Sequence, residues 1–229
     1  AAAAAVRACR YPPQGTRGYA ASVVRASTFG LEPGYTQKAN ENLLIVVQIE
    51  SAAAVEQAAE LGTTRDAIAV GGDSAGGNLA GAVAIDARDA GIDPPLRHQL
   101  LIYPSTTCDL AIGFDDRYEG VMLERDELKW HQHNYFEKPE DANDPRASIL
   151  SAALEGLPST TIILAECDPI NPQGALLAVA LGAAGVDVEA REYPGMIHGF
   201  FGLDEIFPIA GTAMRYAGAR LATALERSA

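Results

Sequence analysis

A serine lies between glycines in the stretch VGGDSAGGNL, residues 70–79. Its five central residues, Gly72-Asp73-Ser74-Ala75-Gly76, fit the pattern Gly-x-Ser-x-Gly. The apolar run 67–70 before it is typical of a buried parallel strand, and the residues after Gly77 are rich in helix formers. On a sharp strand-to-helix turn, glycines avoid collisions and the serine hydroxyl is exposed at the carboxyl edge of the sheet. The pattern therefore predicts that Ser74 is a nucleophile and that the free N–H groups at the start of the helix would bind the oxyanion formed by its attack. A simple tight turn is the alternative.

A serine needs a base, and only four histidines are available. His98 opens a predicted strand, which places it at the wrong end of a parallel sheet. His131 and His133 belong to a predicted helix, lie on different faces, and lack the spacing of a metal pair, so we expect them to be solvated. His198 follows the predicted strand 186–194 in the loop GMIHGFFG. Its position therefore predicts that His198 is the base.

The base needs an acid to orient it, and two carboxylates are candidates. Asp168 and Glu166 both lie at the end of the predicted strand 161–166, in AECDPI. Asp168 is favoured because it lies further past the strand end, where triad acids are found. The order Ser74, Asp168, His198 is the chain order of the α/β-hydrolases.

The elements that must position these residues alternate along the chain. Strands are predicted at 98–104, 161–166 and 186–194, and helices at 51–61 and 174–185. Residues 105–158 are richer in charged and aromatic side chains, which indicates an insertion over the mouth of a site. The alternation predicts the α/β class, a mostly parallel sheet with helices on both faces.

Composition excludes several classes of protein. The 229 residues are 48% apolar and 21% charged, which is typical of a globular chain long enough for one large domain. The net charge of −13 argues against nucleic acid and anionic membranes as partners. The three cysteines are far apart in the sequence, which predicts no disulfide framework. No apolar run is long enough for a membrane span, and the first residues of the sequence make a poor signal peptide. A cytoplasmic location is therefore expected.

Several segments resemble the hormone-sensitive-lipase-like esterases, the bacterial family IV carboxylesterases of the α/β-hydrolase fold. The segments are AVGGDSAGGNLA, PPLRHQLLIYP, DPRASIL, LPSTTIILAECDPI and YPGMIHGFFGL, and the likeness runs from about residue 60 onward. The resemblance implies that Ser74 is the nucleophile, His198 the general base and acid, and Asp168 the orienting carboxylate. It also implies that the backbone N–H of Ala75 is an oxyanion donor and that residues 105–158 form part of a cap.

Two departures from the family pattern stand out. The upstream His-Gly-Gly-Gly motif, which completes the family's oxyanion hole, does not occur in this sequence. Spacing places it just before residue 1, so we expect one α/β-hydrolase domain over 1–229 that lacks its amino-terminal part. Residues 1–5, all alanine, are treated as uninformative. The segment INPQG, 170–174, stands where the family usually has acidic residues.

The predicted function is a serine carboxylesterase acting on a small-molecule ester. The resemblance implies short- to medium-chain acyl groups, and the reaction needs no metal and no organic cofactor. One alternative is a catalytically silent ligand binder on the same fold, and another is an amidase or deacetylase. The sequence leaves the oligomeric state open, with a homo-oligomer among the options.

Overall fold

The computed structural model describes residues 7–8, 10–14, 16, 68–92 and 95–225. Contacts between Cα atoms divide the chain into two compact units, residues 1–64 and 65–229, and every helix and strand named below belongs to the second. The predicted helix at 51–61 lies outside the described residues. The prediction of a single domain over 1–229 remains a prediction.

Four strands form a parallel sheet in the described part of the chain. They are β1 (Ala69–Asp73), β2 (His98–Ile102), β3 (Ser159–Cys167) and β4 (Val188–Ile197), hydrogen-bonded in that order. All three pairings are parallel. The carboxyl ends of all four strands therefore meet at one edge, as the predicted α/β class requires.

In the described residues from 68 to 225, the helices are α1 (Ala75–Asp89), α2 (Arg125–Tyr135), α3 (Asn171–Ala183) and α4 (Pro208–Leu225). Each of α1, α3 and α4 follows a strand, so the predicted alternation is confirmed with shifted bounds. One shift bears on the site: β4 extends to Ile197 rather than to residue 194. Consequently, His198 directly follows the strand instead of lying within a longer loop.

The sheet has a hydrophobic core on each face. Successive residues of β3 alternate between them, with Ile162 and Leu164 in one core and Ile163 and Ala165 in the other. The first core includes residues of α1 and α3, and the second includes residues of α4. Each fully buried leucine or isoleucine contributes about 1.5–3 kcal/mol, so these layers fix the strand ends.

Residues 105–158 lie between β2 and β3 in the chain and carry α2 and three short 3₁₀ turns: Asp116–Tyr118, Pro139–Asn143 and Ile149–Ser151. No residue of α2 is buried. The first part of this segment packs on the turn after β3 and on the start of α3. Asp115 N donates to Pro169 O at 2.7 Å, and Thr106 N donates to Gln173 Oε1 at 2.9 Å. The segment therefore lies beside the turn that carries Asp168.

Candidate active site

Ser74 lies on the one-residue turn between β1 and α1. Its φ of 54° and ψ of −118° are unusual for a residue with a side chain, and such strain costs about 1–3 kcal/mol. The neighbouring strand end holds the turn in place. Ser74 N donates to Ile102 O at 2.8 Å, and Ser105 N donates to Ser74 O at 3.3 Å. The strained conformation is thus supported by backbone hydrogen bonds on both sides of the serine.

The glycines around Ser74 have different reasons to be glycine. A Cβ on Gly72 would lie 2.2 Å from the carbonyl oxygen of Gly76, and one on Gly77 would lie 2.9 Å from Cβ of Pro104. A Cβ on Gly76 would meet only Asp73 Oδ1, at 3.8 Å. The close approach of chain segments therefore requires Gly72 and Gly77, whereas space does not require Gly76.

The structure brings Ser74, His198 and Asp168 together. His198 Nδ1 lies 2.6 Å from Asp168 Oδ2, and His198 Nε2 lies 2.7 Å from Ser74 Oγ. A carboxylate only accepts hydrogen bonds, so Nδ1 carries the proton and Nε2 is left to accept from the serine hydroxyl. Asp168 is fully buried, and its Oδ1 accepts from Ile170 N at 3.0 Å. The imidazole is therefore held in the tautomer that can take a proton from Ser74.

Tyr103 supports the imidazole and was missed by sequence reasoning. Its ring centroid lies 4.6 Å from that of His198, and its backbone φ is 33°. Burial, and then the nearby charge of Asp73, raises the pKa of Tyr103 above its usual value, so the phenol stays neutral. Phe200 packs on Tyr103 from within the core and is fully buried. The only sequence signal for a role of Tyr103 at the site was its position directly after β2, the strand that pairs with β1.

Glu166, the rival acid, has a different contact. Its Oε2 accepts from Gly195 N at 2.7 Å, on the strand that leads to His198. The carboxylate that reaches His198 is that of Asp168.

The other three histidines lie elsewhere. His98 is buried at the amino edge of the sheet, where Nδ1 lies 2.8 Å from Ser159 Oγ and Nε2 lies 3.1 Å from Thr161 Oγ1. His131 and His133 are exposed on α2, as predicted. Across the described ranges, no three His, Cys, Asp or Glu side chains are grouped to hold a metal ion.

The first turn of α1 begins at Ala75, immediately after Ser74. The first backbone N–H groups of a helix have no acceptor within it, and the helix dipole makes this end positive. The arrangement can therefore stabilise negative charge that develops beside Ser74 Oγ. Within the described part of the chain, no helix combines the length and hydropathy needed to cross a membrane.

Comparisons with known proteins agree with this geometry. A family model described as alpha/beta hydrolase fold matches residues 22–202. Carboxylesterase NlhH of Mycobacterium tuberculosis is 39% identical over 176 residues, which are 75% of this chain and 55% of the relative. Ethyl acetate hydrolase of Pseudomonas putida is 37% identical over 155 residues, 66% of this chain and 48% of the relative. The chain thus spans about half the length of these relatives.

Solved structures give the same result. An esterase of Pyrobaculum calidifontis superposes with a TM-score of 0.66 at 37% identity, covering 76% of this chain and 59% of that one. A thermostable esterase of Pseudomonas putida superposes with a TM-score of 0.67 at 35% identity, covering 77% and 58%. The chain belongs to the α/β-hydrolase fold family, in its hormone-sensitive-lipase-like branch.

Proposed function

We propose that this protein is a serine carboxylesterase that hydrolyses short- to medium-chain esters through an acyl-enzyme. One observation carries the proposal: the continuous chain of contacts from Asp168 through His198 to Ser74, with separations of 2.6 and 2.7 Å. A serine becomes a good nucleophile only when a base takes its proton and a third group orients that base.

In the acylation half, Ser74 Oγ attacks the ester carbonyl carbon while its proton passes to His198 Nε2. The carbonyl oxygen becomes an oxyanion, and the N–H of Ala75 at the start of α1 donates to it. Asp168 stabilises the imidazolium without taking its proton. His198 then gives the proton to the departing alkoxide, and the bond from the carbonyl carbon to the alcohol oxygen breaks.

In the deacylation half, water replaces the alcohol. His198 takes a proton from the water as its oxygen attacks the acyl carbon, and the second oxyanion again accepts from Ala75 N–H. The tetrahedral species collapses, the bond to Ser74 Oγ breaks, and His198 returns the proton to the serine. The products are one carboxylic acid and one alcohol, and the enzyme is regenerated.

The proposed substrates are small esters. Similarity to a carboxylesterase and to an ethyl acetate hydrolase supports compact acyl groups. We assign residues 105–158 to part of the cap over the acyl pocket. Two observations support this assignment: the bond from Asp115 N to Pro169 O, and the exposed apolar side chains of Ile112, Met122 and Trp130.

We also propose that the enzyme is cytoplasmic and binds neither nucleic acid nor membranes. Free thiols at Cys108 and Cys167 support a reducing compartment, and the net charge of −13 opposes binding to phosphate-rich surfaces. A homo-oligomer is compatible with this function.

The test is hydrolysis of p-nitrophenyl acetate, butyrate and octanoate by the full-length protein, with Ser74→Ala and Ser159→Ala beside it. Ser159 is the matched control because its hydroxyl also contacts a histidine. We expect turnover that Ser74→Ala abolishes and Ser159→Ala preserves, and a fall in rate toward octanoate.

A matched anilide substrate separates the alternatives. Faster cleavage of the anilide than of the ester would replace the esterase with an amidase. Tight ligand binding by folded protein, without turnover of either substrate, would replace it with a silent binder.

A further inference from the structure

The last two strands do not pair evenly near the site. Ala165 pairs with Tyr193 and Cys167 pairs with Ile197, so one residue of β3 faces three residues of β4. The ladder is shifted by two residues at this bulge, which we define as Pro194–Met196. Bulges of this kind re-aim the residues that follow them and are frequent next to active sites.

The shift decides which residue of β4 meets Asp168. In an even register, Cys167 would pair with Gly195, and Asp168 would lie opposite Met196. His198 would then lie two residues further along, about 6–7 Å at the rise of a strand. With the bulge, Asp168 and His198 each directly follow a paired residue, and their side chains are 2.6 Å apart.

Glu166 binds the backbone of the bulge itself, and Asn171 binds residues that flank it. Glu166 Oε2 accepts from Gly195 N at 2.7 Å, and Asn171 Nδ2 donates to Ala165 O at 2.6 Å and to Glu192 Oε2 at 2.9 Å. Gly195 has a φ of 72° with no atom near its Cβ position, so conformation rather than space requires glycine there. The bulge is therefore held by specific contacts rather than by packing alone.

We infer that Glu166 is a positioning residue that sets the register of His198 against Asp168, an inference that rests on the proposed function. Glu166 acts through Gly195 N–H, as a hydrogen-bond acceptor, and its charge has no part in the inference. Glu166 is exposed and lines an open polar cavity of about 250 Å³, so its truncation removes no core packing.

The experiment compares Glu166→Ala, Glu166→Gln and Glu155→Ala in the full-length protein. Glu155 is an exposed carboxylate in the loop before β3, at the opposite edge of the sheet. We expect Glu166→Ala to lower kcat for p-nitrophenyl butyrate about ten- to a hundredfold with KM nearly unchanged, because a small misplacement of the base is costly. Glu166→Gln, whose amide oxygen also accepts, is expected to retain most of kcat, and Glu155→Ala all of it.

A second readout does not need turnover. We expect the proton between His198 Nδ1 and Asp168 Oδ2 to give a far-downfield NMR signal, to be identified by its absence in His198→Ala. We expect the signal to weaken or shift in Glu166→Ala and to remain in Glu166→Gln. Asn171→Ala, which removes the donor to Ala165 O, loosens the bulge independently and is expected to change the signal in the same direction.

Three outcomes decide the matter. If Glu166→Ala folds and matches the wild type in kcat and proton signal, the inference is overturned. If Glu166→Gln is as impaired as Glu166→Ala, the charge matters and the inference is equally overturned. A wild type without esterase activity, whose proton signal still depends on Glu166, would contradict the proposed function and support the positioning role.

Discussion

A serine and a histidine contact each other at both edges of the sheet. At the carboxyl edge, Ser74 Oγ lies 2.7 Å from His198 Nε2, and at the amino edge Ser159 Oγ lies 2.8 Å from His98 Nδ1. The distances are almost equal, but the remaining partners differ. His198 meets a buried carboxylate, whereas the second nitrogen of His98 meets the hydroxyl of Thr161.

The amino-edge pair belongs to a chain of hydrogen bonds that begins at a backbone carbonyl and ends at the guanidinium of Arg220. Ser159 donates its proton to Arg97 O at 2.9 Å, so its oxygen accepts from His98 Nδ1–H. His98 Nε2 then accepts from Thr161, whose oxygen accepts in turn from Arg220 Nε at 3.1 Å. Each hydroxyl and N–H proton of this chain of hydrogen bonds is donated to a neighbouring acceptor, and the backbone of Ser159 belongs to the regular strand β3. A short serine–histidine distance therefore does not distinguish the proposed nucleophile; the carboxylate partner of His198 and the strained backbone of Ser74 do.

Replacing the two histidines in turn gives the largest expected difference. We expect His198→Gln to reduce kcat by about 10⁴-fold or more while the protein stays folded, because the base is lost. His98→Gln is expected to keep kcat within a few fold but to lower the free energy of unfolding by about 1–3 kcal/mol. Ester hydrolysis and urea denaturation measure both. Comparable losses of kcat in both variants would contradict the distinction between the edges.

The second-largest effect is expected when the charge of Asp168, the carboxylate partner of His198, is removed. We expect Asp168→Asn to lower kcat by about 10³–10⁴-fold, because an amide no longer holds His198 in the productive tautomer. Steady-state kinetics with p-nitrophenyl butyrate measure the loss. Activity within tenfold of the wild type would mean that another carboxylate orients His198.

The strain at the carboxyl edge can be tested through two glycines of one motif. Gly72→Ala is expected to destabilise the fold by about 3 kcal/mol, because the new Cβ would lie 2.2 Å from the Gly76 carbonyl oxygen. Gly76→Ala is expected to be neutral or slightly stabilising, since its Cβ meets only an atom at 3.8 Å and alanine favours helix. Chemical denaturation compares the two. Equal destabilisation would contradict the steric difference between the two positions, and a mild effect of Gly72→Ala would show that the turn is looser than its geometry indicates.

The smallest effect concerns pH. Burial, reinforced by the positive charge of Arg220 and opposed by Asp187, lowers the pKa of His98 in the folded state below its ordinary 6.5. The neutral form is thus favoured by folding, and this stabilisation is complete above pH 6.5 and is lost as the pH falls below it. We expect the free energy of unfolding of the wild type to fall more steeply between pH 7 and 5 than that of His98→Gln. Parallel pH curves would show that His98 is not responsible.

The site could be predicted from the sequence because each member has a local signal. Ser74 lies in a recognisable motif, and Asp168 and His198 directly follow strands whose apolar runs are clear. The strand β1 was harder to delimit, because Gly71 and Gly72 have low strand propensity and become extended only through pairing with Leu100 and Leu101.

The bulge and the role of Tyr103 could not be predicted. The bulge depends on the register between strands that are distant in the sequence, and hydrophobic alternation does not record a shift of two residues. Tyr103 adopts a φ of 33° because Tyr103 N donates to Ile163 O while its ring packs on His198. Such a conformation arises from tertiary contacts, and the local sequence, a tyrosine before a proline, does not predict it.

The two cores lie on opposite faces of the sheet, and the three proposed catalytic residues are attached to both. Ser74 precedes α1 and Asp168 precedes α3 on one face, whereas His198 precedes α4 on the other. Their contacts of 2.6 and 2.7 Å require both layers to be docked at once. Ester hydrolysis would consequently report whether the side chains are packed on both faces of the sheet. A loosened state that keeps its helices but loses this packing would already be inactive.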